Sequence, residues 1–325
     1  MARHIDIVSQ RNAALEEAVA ELSRGLPIAL PTETVYGLAA DATNPAAIAR
    51  IYETKGRPQF NPLICHMADI AMAERYATFD PVSRRLAEAF WPGPLTLVLP
   101  LKEGSGIHSL ATAGLDTVGI RIPLGFAGDL IRHFGKPLAA PSANSSGKIS
   151  PTSALHVDAD LGARINLILD GGAASVGVES TIIKVESDGR VRLLRPGGIV
   201  AKDIERVAGV RLERPEKASA AIEAPGMLAS HYAPGATVRL GATSVVRDEA
   251  LIRFGSASVD GEGDARIVLD LSPSGDLAEA AANLFDYLKA ADATGATSIA
   301  VTAIPDHGLG EAINDRLSRA AAPRP

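Results

Sequence analysis

The chain has 325 residues but a single cysteine, Cys65. That excludes an intrachain disulfide and any cysteine-based zinc cluster. Aromatics are only 4% of the residues, so a core must be built mainly from Ala, Val, Ile and Leu. No apolar run reaches the ~18 residues of a membrane span. The opening Met-Ala-Arg-His-Ile-Asp has no apolar region of a secretory signal. Positive charge is in deficit, with a formal net charge of −6, so bulk charge does not wrap nucleic acid and any RNA contact must be a local patch. Together these absences predict a soluble, cytoplasmic protein with no membrane partner. Familiar nucleotide and metal signatures are missing too. Ser145-Ser-Gly-Lys148 suggests a P-loop, but Ile149 replaces the required Ser/Thr and no glycine stands five residues before Gly147. There is no G-x-G-x-x-G, and the seven histidines show no H-E-x-x-H spacing.

What is present is ordinary globular composition, 46% hydrophobic and 22% charged, in a length that suggests two domains. Residues 1–210 hold 21 basic against 22 acidic side chains, and residues 211–325 hold 11 against 16. The acidity therefore sits in the last third, leaving the first part able to hold a polyanion. The run from Arg211 to Gly226 mixes charge, proline and small residues without an apolar period, which is linker chemistry. The expected division is a first domain over 1–210, a connecting segment over 211–235 and a second domain over 236–325.

The first part alternates helical and strand patterns. Leu15, Ala18, Val19 and Leu22 mark an amphipathic helix ending near Gly25, and a second helix follows Pro45 with Ile48, Ile51 and Tyr52 on one face. Strands are predicted at 27–31, 63–65, 95–99, 118–122, 167–169 and 181–185, with helices near 82–90, 129–134 and 203–208. In the last third, strands at 238–240, 266–271 and 298–301, a helix around Leu277–Leu288 and a closing helix from Gly310 predict a smaller α/β unit with a βαβ crossover. The fold class is α/β.

Polar segments stand at the ends of these strands, where α/β domains place ligands. Pro31-Thr-Glu-Thr-Val-Tyr-Gly37 is either a structural turn with Thr32 as a helix cap or a ligand loop. Lys55 and Arg57, held two apart by Gly56 and flanked by Pro58 and Pro62, are either a dipole-favoured helix end or a pair of cations for phosphates. Arg121 interrupts an apolar strand, as an ion pair or as an anion receptor. Pro141-Ser-Ala-Asn-Ser-Ser-Gly147 lets backbone N–H groups approach a ligand, and Ser150 is read as the cap of the next helix, with Pro151 in its first turn. His66 is a core histidine or a ligand. Trp91-Pro-Gly-Pro94 is a rigid turn, and Cys65 an inert buried thiol. Glu179-Ser-Thr181 and Leu194-Arg-Pro-Gly-Gly198 complete a set that suggests a nucleotide pocket.

These residues, in order, resemble the YrdC-like domain family. The motifs are Pro31-Thr-Glu-Thr-Val-Tyr-Gly-Leu38, Lys55-Gly-Arg57 with Asn61-Pro-Leu63, Trp91-Pro-Gly-Pro-Leu-Thr96, Pro141-Ser-Ala-Asn144, Glu179-Ser-Thr-Ile182 and Leu194-Arg-Pro-Gly197. The match covers about residues 10–205. Ala224-Pro-Gly-Met227 and His231-Tyr-Ala-Pro234 resemble the long, two-domain form of that family. The resemblance implies an open, twisted mixed sheet with a concave cationic cavity, plus a smaller Rossmann-like C-terminal domain. It implies a nucleotidyltransferase that joins L-threonine, bicarbonate and ATP, with Mg²⁺, into L-threonylcarbamoyl-AMP and releases pyrophosphate. The product would pass to a separate tRNA-modifying transferase complex. By the same resemblance, threonine is contacted by Thr34, His66, Arg121, Ala140 and Ser180. ATP is held by Arg57, Asn61, Thr117, Ser142, Asn144, Ser150, Arg195 and Tyr232, with Lys55 and Arg57 as the catalytic cations. No resident metal site is implied. Hydrogenase-maturation carbamoyltransferases share the domain but carry cysteine-rich zinc fingers, which one cysteine excludes. An RNA-gripping module without chemistry is the competing class, and the acidic balance weighs against it.

Overall fold

A computed structural model describes residues 1–214, 222–227, 230–256 and 258–323. Its strands are β1 (Arg3–Asp6), β2 (Ile28–Leu30), β3 (Gly37–Asp41), β4 (Ile64–His66), β5 (Leu95–Pro100), β6 (Thr117–Arg121), β7 (Leu138–Ala139), β8 (Leu167–Asp170), β9 (Thr181–Val185), β10 (Val191–Arg195), β11 (Leu212–Glu213), β12 (Thr237–Leu240), β13 (Glu249–Arg253), β14 (Val268–Asp270) and β15 (Ser298–Val301). Its helices are α1 (Arg11–Ser23), α2 (Pro45–Lys55), α3 (Ile70–Tyr76), α4 (Pro81–Phe90), α5 (Ser109–Thr112), α6 (Phe126–Phe134), α7 (Ala154–Leu161), α8 (Ala201–Ala208), α9 (Leu277–Ala293) and α10 (Gly310–Ala320).

Eleven strands form one mixed sheet in the order β1-β8-β2-β3-β7-β4-β6-β5-β9-β10-β11. Its last strand, β11, lies inside the stretch read from composition as a connection; residues 215–221 and 228–229 of that stretch fall outside the described residues. The second domain is a four-stranded parallel sheet, β12-β15-β13-β14. The expected β14–α9–β15 crossover is present, with β13 between the two strands. β13 is a strand the sequence reading passed over, because charged Glu249 and Arg253 bracket its three apolar residues.

Local chemistry sets the elements that carry the site. Asn44 caps α2 by accepting from the N–H groups of Ala46 and Ala47, Pro45 fills its first turn, and Gly56 ends it at φ 58°. That left-handed step carries the chain from Lys55 straight into Arg57. The cap of α7 is Ser153, which accepts from His156 N–H, so Ser150 does not start this helix. Ser150 lies three residues upstream and its hydroxyl is used elsewhere. In β10 the register against β9 slips between Leu193 and Arg195, a bulge that re-aims the arginine, as bulges beside active sites do.

The large core runs along the first sheet with α1, α2, α4, α6 and α7. The second core is shared: Val35, Ile149 and Val178 of the first domain and Tyr232 of the connection pack with Phe285 and Leu288 of α9 and with Ile313 of α10. The C-terminal domain is therefore built onto the first domain through apolar contact. Gly177 marks the closest approach: a Cβ there would lie 2.3 Å from the Ala282 Cα and 2.4 Å from the Ala281 carbonyl oxygen. Among the described residues no helix is long and apolar enough to cross a membrane.

Candidate active site

The loop between the antiparallel β2 and β3 forms the first wall. Thr32 Oγ1 accepts from the N–H groups of Thr34 and Val35, each at 3.3 Å, and donates to the Val35 carbonyl at 2.6 Å. This closed turn runs into a strand, so Thr32 caps no helix. Its neighbour Thr34 points at Arg121, whose Nη1 donates to Thr34 Oγ1 at 2.7 Å. The other donors of Arg121 reach Gly93 O at 3.2 Å and stand 2.7 Å from Glu33 Oε1. The arginine is thus ion-paired and lines the cavity as well.

Parallel pairing of β4 and β6 sets His66 beside Arg121. Burial, then the Arg121 charge, pushes the imidazole down to about 3, so His66 is neutral near pH 7. Its Nδ1 lies 3.3 Å from Ile64 O. Cys65 beside it is fully buried and its thiol is pushed up to about 12 by burial alone, consistent with an inert thiol.

The opposite wall is cationic. Arg57 donates to the carbonyls of Asn61 (3.1 Å) and Pro62 (2.9 Å). Arg195 donates to Ser180 O at 2.9 and 3.1 Å and to Ser180 Oγ at 3.1 Å, and Ser180 Oγ lies 2.7 Å from Thr96 Oγ1. Lys55 Nζ donates to the carbonyls of Ser142 and Asn144, 2.5 Å each. Burial lowers all three: Arg57 to about 10, Arg195 below its ordinary value, and Lys55 well below its own. Among the described residues, none of the three has a carboxylate within ion-pair distance. Glu179 Oε1 accepts from Ser150 Oγ at 2.5 Å, and its Oε2 accepts from Arg316 Nε of α10 at 2.7 Å. Burial opposes its charge, but Arg316, Arg195 and the Ser150 hydroxyl hold it down to about 2.

The roof is the interdomain connection. Pro225, Gly226, His231 and Tyr232 line the cavity. His231 N–H reaches Arg319 O of α10, and Ala233 N–H reaches Gly147 O of the first domain. Tyr232 takes a left-handed φ of 61° and is buried, its ring 5.5 Å from Phe285. The free space between these walls is about 50 Å³, against the ~300–1,000 Å³ of a typical small-molecule site. In this arrangement the roof leaves too little room for a nucleotide.

Of the residues named from sequence, Thr34, Arg57, His66, Arg121, Ala140, Ser142, Ser180, Arg195 and Tyr232 line this cavity. Lys55, Asn61, Asn144 and Ser150 stand one layer behind, buried. Asn61 and Asn144 each present a buried side-chain oxygen with no hydrogen-bond partner among the described residues. Thr117 is set apart, lining a recess of about 10 Å³ with Thr96, Ala224 and Pro225. Sequence reasoning assigned no role to Glu33, Glu179, His231 or Arg316. The first three sat within quoted motifs. Arg316 lies in an ordinary amphipathic helix and carries no local signal.

The architecture and this cavity define a YrdC-type domain extended by a second α/β domain that closes against its site. The family model described as Telomere recombination (Sua5, YciO, YrdC) matches residues 20–197, and that described as Threonylcarbamoyl-AMP synthase, C-terminal domain, matches residues 199–322. The chain belongs to the Sua5/YciO/YrdC family, in its two-domain form. It is 42% identical to the threonylcarbamoyl-AMP synthase of Bacillus subtilis, over 98% of this chain and 96% of that one. The crystal structure of Pyrococcus abyssi Sua5 complexed with L-threonine superposes with a TM-score of 0.84 at 40% identity, covering 94% of each chain. A doubly substituted form of the same P. abyssi protein superposes at 0.88, with 38% identity over 99% of this chain and 96% of that one.

Proposed function

We propose that this chain is a nucleotidyltransferase that forms L-threonylcarbamoyl-AMP from L-threonine, bicarbonate and ATP. The observation that carries the reading is the excess of buried cations. Arg57, Arg195 and Lys55 donate to carbonyls and hydroxyls with no carboxylate in ion-pair contact among the described residues, and a buried cation held that far from a counter-charge is costly unless a ligand brings one closer. A triphosphate supplies it, and the threonine found in the P. abyssi relative supports the other half of the pocket.

In this reading Thr34, His66, Arg121, Ser180 and the backbone at Ala140 hold threonine, with the Arg121 fork on an anionic oxygen. Neutral His66 accepts or donates one hydrogen bond there without adding charge. Arg57 and Arg195, with Ser142, hold the phosphates. Lys55 fixes the Ser142–Asn144 loop from behind, while Asn61, Asn144, Ser150 and Thr117 complete the nucleotide side once the cavity opens. The threonine amine takes up bicarbonate, losing water, and becomes a carbamate. A carbamate oxygen attacks the α-phosphorus, the bond to the bridging oxygen breaks, and pyrophosphate leaves with that electron pair. The protein aligns an anionic nucleophile with a polyanion and offsets their repulsion. Closure by Tyr232 keeps water from two labile species.

Mg²⁺ enters with ATP as part of the substrate. Glu179 is engaged by Ser150 and Arg316 and Glu33 by Arg121, so neither carboxylate is free for the ion and phosphate oxygens would carry it. The product serves a tRNA-modifying transferase in the cytoplasm, and the acidic second domain makes direct tRNA contact the lesser part of the handover.

Incubation with MgATP and bicarbonate, with and without L-threonine, tests this by mass spectrometry. The expected result is an adduct with matching pyrophosphate only when threonine is present. ATP binding without a threonine-dependent adduct overturns the reading.

A further inference from the structure

The C-terminal domain places one side chain behind the active site, and no step above uses it. Arg316 projects from α10 and is fully buried. Its Nε donates to Glu179 Oε2 at 2.7 Å, and its Nη1 donates to Pro196 O at 2.9 Å and to Asp315 Oδ2 at 2.8 Å. The guanidinium carbon lies 5.3 Å from the Tyr232 ring centroid, within cation–π range. One side chain therefore touches the Glu179-Ser180 segment, the Arg195-Pro196 segment and the roof.

We propose that Arg316 is a positioning residue for the reaction, through which the second domain holds Glu179, Ser180, Arg195 and Tyr232 in the closed arrangement. The inference rests on the reading of function above. Its physical basis is the cost of the alternative. Replacing a buried ion pair by packed hydrocarbon is often neutral or stabilising. Here α10 instead carries a fully buried arginine, with one nitrogen, Nη2, left without a hydrogen-bond partner among the described residues. Stability gains little from this, whereas geometry gains much. The planar guanidinium, anchored through Nη1 on Pro196 O and Asp315, holds one Glu179 oxygen through a single Nε bond and so fixes the carboxylate relative to α10. The other oxygen of that carboxylate holds Ser150, and its backbone neighbour Ser180 receives Arg195. Tyr232, in a left-handed conformation that L-residues rarely adopt, is pressed between this guanidinium and Phe285.

Without Arg316, Glu179 keeps Arg195 and the Ser150 hydroxyl but loses its main counter-charge in a buried setting. His231 and Tyr232 of the roof and Asp315 of α10 are the other titratable groups nearby, and Asp315 is acidic. Glu179 must then take up a proton at higher pH than in the parent chain.

The test compares the parent chain with Arg316→Met, of similar length and uncharged, and with Arg316→Lys. Adduct formation is followed against pH and threonine concentration, with circular dichroism as the folding check. The parent must first give the threonine-dependent adduct; if it gives none, the functional reading fails and not this one. Arg316→Met is expected to lose at least tenfold in kcat/KM at neutral pH while staying folded. Arg316→Lys, which keeps the charge but not the three-way contact, is expected to recover part of that loss and remain several-fold below the parent. A folded Arg316→Met chain with parental kcat/KM overturns the proposal, as does a lysine chain no better than the methionine one. If Arg316→Met does not fold, Arg316→Lys decides, and a lysine chain indistinguishable from the parent overturns it equally.

Discussion

Two buried neutral histidines should make this protein acid-sensitive in a window that carboxylates do not reach. His66 and His231 are both pushed from 6.5 down to about 3, chiefly by burial, with the Arg121 charge acting further on His66. The unfolded chain binds protons at these sites below pH 6.5, and the folded chain does not until about 3. Their contribution to stability is thus fully present above 6.5 and is lost as pH falls from 6.5 toward 3. Between pH 7 and pH 5 each site costs about 2 kcal/mol, so the pair removes about 4 kcal/mol, a large share of a typical domain's stability. His156, also lowered by burial, adds in the same direction. Glu179, held to about 2 against an ordinary 4.5, starts to contribute only below pH 4.5, which leaves the interval 5–6.5 to the histidines. Trp91, the only tryptophan, sits buried in the first domain and reports its unfolding in urea. The expected result is a midpoint that falls steeply from pH 7 to 5, with about half the slope remaining in His66→Gln or His231→Gln. A parent chain with a flat midpoint over that interval, or a glutamine variant with undiminished slope, would refute the reasoning.

Two further outcomes follow from the packing and the charge. Gly177 and Gly172 share a φ of 75°, but a Cβ on Gly177 would strike α9, while one on Gly172 would meet nothing within 4 Å among the described residues. Gly172→Ala should therefore cost only the ~1–2 kcal/mol of a left-handed L-residue. Gly177→Ala should cost clearly more and separate the thermal unfolding of the two domains; equal losses would mean the interface is not as close as described. Lys55, driven well below its ordinary value by burial and by Arg57, should regain affinity for its proton when phosphates bind nearby. Calorimetry of ATP binding in buffers of different ionisation enthalpy should then show net proton uptake below pH 10.5, lost in Lys55→Met. Uptake that survives that substitution would move the titration elsewhere.

The elements legible in the sequence were those whose pattern is local. α2 is announced by Asn44-Pro45 and stopped by Gly56, and β9 and β15 are runs of branched residues. β3, Gly-Leu-Ala-Ala-Asp, is fully buried yet shows neither alternation nor β-branched side chains, because neighbouring strands and helices cover both its faces. The two-residue β7 is a product of pairing rather than of propensity. Ser150 shows the same limit at the level of one side chain. Its position before Pro151 resembles a helix start, but a buried carboxylate 29 residues away claims its hydroxyl, and Ser153 caps the helix.

The cavity follows the same division. Its motif residues could be named because the chemistry that needs them is concentrated in short loops: hydroxyls at Thr34 and Ser180, guanidinium groups at Arg57, Arg121 and Arg195. What holds those loops together is assembled over long chain separations. Glu33 meets Arg121 across 88 positions, and Glu179 meets Arg316 across 137. Such a partner leaves no trace in its own neighbourhood: Arg316 reads as one more polar residue on the helix Gly310–Ala320. Its placement under Glu179 and Tyr232 means that the second domain is not merely appended to a site complete without it. The second domain supplies one of the charges that set the site's geometry, and its shared apolar core holds that charge in register with the roof.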